Sequence, residues 1–192
     1  TRTQYVRLLD RLNAAGAKAV LFDAFFPEPE SAPIDRAFAA AIGKAGNVVL
    51  ATTYEFDSAF NIVGSTRSLP QIERAAAGVA HINMLPEDDG VIRRSRLLID
   101  DQGKWLPSLG LAGAMAAMGA KEFNRGSFEI SLGQRSVPVD GAYAMWINYA
   151  GRPGTYPRYA FADIVQGRVD PARLQGKIIF VGATALGIYD MR

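Results

Sequence analysis

The sequence has no cysteine, a single histidine, no long apolar run and almost no net charge. Without cysteine there can be no zinc finger, no iron-sulfur cluster, no disulfide and no thiol nucleophile. Compartment is left open, because disulfide-free domains occur on both sides of a membrane. A histidine-based triad would have to use His81, and no Gly-x-Ser-x-Gly elbow accompanies it, so His81 is expected to pack and hydrogen-bond. No stretch reaches the roughly 18 consecutive apolar residues that span a bilayer. The opening Thr1-Arg2-Thr3-Gln4 is neither an initiator Met nor a signal peptide, and an excised soluble segment is expected. Twenty-one Lys and Arg against nineteen Asp and Glu leave +2, which gives no electrostatic case for nucleic acid. With 49% hydrophobic and 21% charged residues, the composition excludes disorder, collagen and a coiled coil as whole-chain descriptions. A length of 192 residues favours one domain, assigned to 1–192.

What the sequence does contain is α/β patterning. Tyr5, Leu8, Leu9 and Leu12 follow helical spacing before a stop at Gly16. Ala19 to Phe22, Val48 to Ala51 and Ile178 to Val181 are continuous apolar runs, the mark of strands buried on both faces of a parallel sheet covered by helices. A three-proline loop and the Ile34, Phe38, Ile42 stripe join the first two runs as a crossover unit. A third helix is predicted to open at Ser68, with Ser68 as its cap and Gly78 as its end. Val79 to Asn83 reads as a further parallel strand.

Beyond the Asp88-Asp89-Gly90 turn, Val91 to Ile99 reads as an extended segment leading away from the core. Leu106 to Met118 reads as a closely packed helix with Leu111, Met115 and Met118 on one stripe. Phe128 to Leu132 and Val137 to Val139 form a predicted hairpin whose second strand Pro138 places at an edge. A short strand at Met145 to Asn148 and a helix from Phe161 to Gln166 lead into the last apolar strand. The expected fold is α/β, a mixed sheet with a parallel core covered by helices and an appended antiparallel hairpin.

Open parallel sheets bind ligands beyond the carboxyl ends of their strands. The residues so placed are Asp23, Thr52, Thr53, Asn83 and Gly182-Ala183-Thr184. Asp23 is a candidate for a ligand, a metal or a loop brace, and Asp35 for a ligand or the helix dipole. The small residues from Gly182 to Gly187 could form an amide nest for an anion, or simply a turn. Arg93, Arg94 and Arg96 beside Asp88 and Asp89 could grip an anion or neutralise one another. Trp105, Trp146, Tyr149, Tyr156 and Tyr159 are expected to be packing residues. No cofactor motif is found and no cofactor is expected; Asp88-Asp89-Gly90 lacks the alternating acidic positions of a calcium loop, which leaves only a metal site made of carboxylates open.

Taken in order, several phrases resemble a known family. Gly16-Ala17-Lys18-Ala19-Val20-Leu21-Phe22-Asp23, Asp35, and Gly46 before Val48-Val49-Leu50-Ala51 are similar to the first half of the second class of CHASE domains. The likeness continues through Asp89-Gly90-Val91-Ile92-Arg93-Arg94, Pro107-Ser108-Leu109, Asn148-Tyr149-Ala150-Gly151 and Gly176-Lys177-Ile178-Ile179-Phe180-Val181-Gly182 to Asp190. It covers nearly all the chain.

The resemblance implies an extracytoplasmic sensory domain of an inner-membrane protein, truncated near its C-terminal membrane junction. It implies partners in its own transmembrane helices and in a cytoplasmic output domain, an adenylate or guanylate cyclase, a histidine kinase or a diguanylate cyclase. It brings no catalytic residue, and the family-like positions are Asp23, Asp35, Asp89, Arg93, Gly182 and Asp190. With Asn83 and Thr184 from the strand ends, these are the candidate ligand residues for an unknown small molecule. A homodimer through the first helix is a further expectation. Two alternatives stand beside the sensor: a carboxylate-dependent hydrolase with metal on Asp23 and Asp190, and a structural dimerisation spacer.

Overall fold

The computed structural model describes residues 1–84, 86–152 and 154–183. Its centre is β1 (Ala19–Asp23), whose side chains alternate between two cores. Val20 and Phe22 pack with α1 (Arg2–Ala14) and α2 (Ala32–Ala45), while Ala19 and Leu21 pack against α4 (Leu109–Met118) on the opposite face. Covering helices on both sides are what an unbroken apolar strand demands.

On one side β1 pairs in parallel with β2 (Val48–Phe56), and β2 with β4 (Gly78–His81). On its other side β1 pairs in parallel with β12 (Ile178–Gly182). The carboxyl half of β2 turns antiparallel to β3 (Ile62–Thr66). A short helix, α3 (Pro70–Glu73), precedes β4, and α5 (Phe161–Val165) lies against α1.

The second half of the chain is built from small antiparallel pieces. β5 (Arg94–Arg96) pairs with β11 (Ala144–Trp146), and β6 (Leu98–Asp101) with β7 (Lys104–Pro107). β8 (Asn124–Arg125), β9 (Glu129–Leu132) and β10 (Arg135–Pro138) form a three-stranded sheet with β10 at its edge, where Pro138 was expected to place it. Ile130 and Leu132 share a core with Leu97, Leu98 and Leu111, which ties this sheet to α4.

The mixed sheet, its parallel core and the appended hairpin are as expected, and several local readings are corrected. Ser68 does not cap a helix: its hydroxyl accepts the Phe26 amide, Leu69 takes the cap position, and α3 is one turn long. Gly78 opens β4 and does not close a helix. The segment through Ile99 does not leave the core, because Leu97, Leu98 and Ile99 are all buried. Residues 104–107 form β7, and α4 begins after Ser108, whose hydroxyl accepts the Leu111 amide as an N-cap. Among the described residues β12 is an edge strand, and with Phe180 at 60% exposure it is not buried on both faces. Of the five aromatics expected to pack, Trp146, Tyr149 and Tyr156 are exposed.

Arg2 and Asp35 fasten the top of the α1–α2 layer. Both are buried and ion-paired, and the second Arg2 guanidinium nitrogen donates to the Glu28 carbonyl. The Arg2 backbone amide donates to Glu30 at 2.7 Å, so one residue joins α1 to the proline loop and to the first turn of α2. Beneath lie the edge-to-face rings of Tyr5, Phe22, Phe26 and Phe38. Each such ring contributes roughly 2 kcal/mol or more through burial.

Candidate ligand-binding fissure

The parallel strands stand in the order β12-β1-β2-β4. From β1 the chain builds outward to β2 and β4, then returns to add β12 on the other side. Connections therefore diverge between β1 and β12, and a topological switch point lies at their carboxyl ends. Asp23 and Gly182 are register partners there. A Cβ on Gly182 would come within 3.2 Å of the Asp23 Cβ, so glycine leaves room for the carboxylate.

At this switch point opens a fissure of about 210 Å³, whose walls include Asp23, His81, Asn83, Ser95, Ser108 and Phe180. Ser108, Leu109 and Gly110 come from the start of α4, so the positive end of that helix dipole lies at the wall. Asn83 extends β4 with its side chain: Nδ2 donates to the Tyr54 carbonyl at 2.7 Å, and Oδ1 accepts the Tyr54 amide at 3.0 Å. The carboxamide is thus occupied with the sheet, which fixes the rim.

His81 is fully buried at the end of β4. The ring packs as expected, but neither nitrogen makes a hydrogen bond of good geometry among the described residues, the Leu97 carbonyl being the group that acts on it. Burial pushes its pKa down from 6.5 to about 4; the nearby Leu97 carbonyl works the other way, and the Arg96 charge adds to the depression. Near neutral pH the ring is uncharged, with one N–H donor and one acceptor nitrogen. Buried polar atoms are nearly always paired, so two nitrogens without a well-formed hydrogen bond beside an opening are notable.

The other candidates lie elsewhere. Asp35 sits at the Arg2 clamp, on the helical layer. Arg93 pairs with Asp89 at 2.7 Å and with Glu87 at 3.0 Å, and Arg94 bridges Glu87 and Asp140, so this charged face neutralises itself. The Arg93 hydrogen bond holds the Asp89 carboxyl below its usual range. Thr184 and Asp190, the latter the second ligand named for the metal-dependent alternative, lie outside the described residues. Among the described residues no three His, Asp or Glu side chains gather as a metal set. No helix among them is long and apolar enough to cross a membrane.

Ser95, Ser108 and Phe180 were not singled out in the sequence. The first two arrive from the connection between β4 and α4, where strand-end reasoning has no purchase. A hydroxyl directly before Leu109 was a readable cap signal; its place in the fissure wall was not.

A three-layered α/β domain with a fissure at its switch point has the architecture in which ligands are bound beyond the strand ends. A family model described as the CHASE2 domain matches residues 1–192, and the chain belongs to that family, whose members are extracytoplasmic sensory domains. No curated protein and no solved structure matches it.

Proposed function

We propose that this chain is the sensing part of a membrane-bound signalling receptor and that a small polar molecule, taken up in the fissure, shifts its conformational equilibrium. The output is a cytoplasmic nucleotide cyclase or kinase, reached through the receptor's own transmembrane helices. The carrying observation is His81: a buried neutral imidazole whose nitrogens make no hydrogen bond of good geometry among the described residues, at the switch point of a domain from a sensory family. A ligand that offers one hydrogen-bond donor and one acceptor would satisfy the ring, and Ser95 and the first turn of α4 favour oxygen atoms beside it.

Only a difference in ligand affinity between two states can drive the response. β5 is suited to carry such a difference, because Ser95 lines the fissure and the same strand pairs with β11. The apolar stripe of α1 is spent on its own core, so pairing with a second copy through this helix would use the polar face of Arg7, Asp10 and Arg11.

The test fills the fissure. In the full-length receptor in native membranes, Ser95→Leu should leave the output enzyme active but insensitive to the stimulus that regulates the unmodified receptor. Regulation that survives unchanged, with the variant melting as the parent does, overturns the fissure as the sensing site and favours a spacer.

A further inference from the structure

A second and larger cavity, about 470 Å³, lies on the other side of the Ser95–Leu98 segment, away from the fissure. Ser95 lines the fissure and Arg96, the next residue, lines this cavity, as the alternation of a strand requires. Its volume falls within the range of small-molecule sites.

Three tight turns converge on it, and each is held by an aspartate. Asp57 accepts the Ala59 and Asn61 amides, Asp100 accepts the Gly103 amide at 2.6 Å, and Asp140 accepts the Ala142 and Ala144 amides. Phe60, Gln102 and Tyr143 in these turns are the non-glycine residues with positive φ among the described residues, and all three line the cavity. Such backbone persists only where surrounding contacts enforce it. Trp105 and Tyr143 stand edge to face at 5.1 Å, and Arg125 stacks 4.0 Å from the Trp105 centroid, so the aromatic wall is held in place.

The charges in the wall are opposed. Arg96 is half-buried and makes no ion pair or hydrogen bond through its side chain among the described residues, whereas Arg2, Arg67 and Arg93 each hold a carboxylate. Asp101 is engaged by the Tyr54 hydroxyl at 2.9 Å and by Arg67. Asp100 spends one oxygen on its turn and is exposed. Among the residues that line the cavity, that leaves Arg96 as the available cation and Asp100 as the available carboxylate beside Phe56, Phe60, Trp105 and Tyr143.

We infer that this cavity binds a small aromatic zwitterion, of the chemical class of an aromatic α-amino acid. Its carboxylate pairs with Arg96, its ammonium with Asp100, and its ring lies among the aromatic side chains. An anion alone would meet the uncompensated Asp100, and a cation alone would meet Arg96. This site is independent of the fissure and of what the fissure binds.

Isothermal titration calorimetry on the 192-residue chain tests the inference with L-phenylalanine, 3-phenylpropanoate and 2-phenylethylamine. L-Phenylalanine should bind saturably, and each single-charge analogue about tenfold or more weakly. Arg96→Gln and Asp100→Asn should each weaken L-phenylalanine by about the same factor. Asparagine at 100 still offers an oxygen to the Gly103 amide, and the site is exposed, so this variant decides the matter should Arg96→Gln fail to fold. No saturable binding up to about 10 mM, analogues that bind as tightly as L-phenylalanine, or variants that bind as the parent does would each overturn the inference.

Discussion

His81 makes the stability of this domain depend on pH in a window where few other groups contribute. Its folded-state pKa is depressed to about 4 from an ordinary 6.5, first by burial. Between those values the unfolded chain binds the proton and the folded chain does not, so stability is full above the unfolded value and falls as the solution is acidified. Integrating the two titrations gives a loss of about 2 kcal/mol between pH 7 and pH 5, growing to about 3 kcal/mol below the folded pKa.

For a chain of this length that loss lowers the melting temperature by about 4–8 °C at pH 5. Asp57 and Asp89, held low by hydrogen bonds from the Asn61 side chain and from Arg93, act in a separate window. Their contribution is present above the ordinary 3.8 and disappears only as the pH falls below it. Urea melts at pH 7 and pH 5, run on the parent and on His81→Leu, isolate the imidazole. The parent should lose the stated stability, and the variant should be nearly flat whatever its absolute stability. Equal slopes in the two proteins would refute the assignment of a buried, uncharged His81.

Three further outcomes follow from packing. Asp35→Ala should cost about 3–5 kcal/mol in chemical denaturation, because it strands the buried Arg2 guanidinium; a loss under about 1 kcal/mol would show that Arg2 swings out to water. Gly113→Ala places a Cβ 2.8 Å from Leu21 Cδ1, under fully buried Leu21, so overpacking of about 1–3 kcal/mol should outweigh the helix-propensity gain of about 1 kcal/mol, and a raised urea midpoint would contradict the contact. Asn83→Ala removes both bonds to the Tyr54 backbone and should destabilise by about 2 kcal/mol, with faster hydrogen exchange at the Tyr54 amide; unchanged protection there would show that another group takes over.

The central sheet was legible where a strand obeys one rule. Ala19 to Phe22 is apolar at every position, and each position meets a helical layer: Val20 and Phe22 one, Ala19 and Leu21 the other. β3 was missed for the opposite reason. Its residues run through Gly64 and Ser65 with Val63 at 64% exposure, so no apolar periodicity marks it, and antiparallel pairing with β2 alone defines it. Local rules also failed where tertiary contacts claimed the same atoms. Ser68 has the chemistry of a helix cap, but the Phe26 amide, 42 residues away in sequence, takes its hydroxyl. Composition from Leu106 onward reads as helix, yet pairing with β6 holds Leu106 and Pro107 extended until Ser108 can cap.

The candidate sites divide along the same line. Strand-end reasoning reached Asp23, Asn83 and Gly182, since these follow from the sheet. It could not reach Ser95 or Arg96, because nothing in an Arg-Arg-Ser-Arg run reveals that alternation will set a hydroxyl toward one cavity and a guanidinium toward another. Nor could it tell which arginines would be matched: Arg93 and Arg94 find Glu87, Asp89 and Asp140, whereas Arg96, two residues further on, lines a cavity and ion-pairs with no carboxylate among the described residues. A buried histidine is ordinarily satisfied, and that prior concealed His81 as well. In both cavities the informative residue is the one whose local chemistry is ordinary and whose side chain makes no well-formed hydrogen bond or ion pair among the described residues. That is a property of three-dimensional bookkeeping, and the two titrations, of His81 by protons and of Arg96 by a zwitterion, measure it directly.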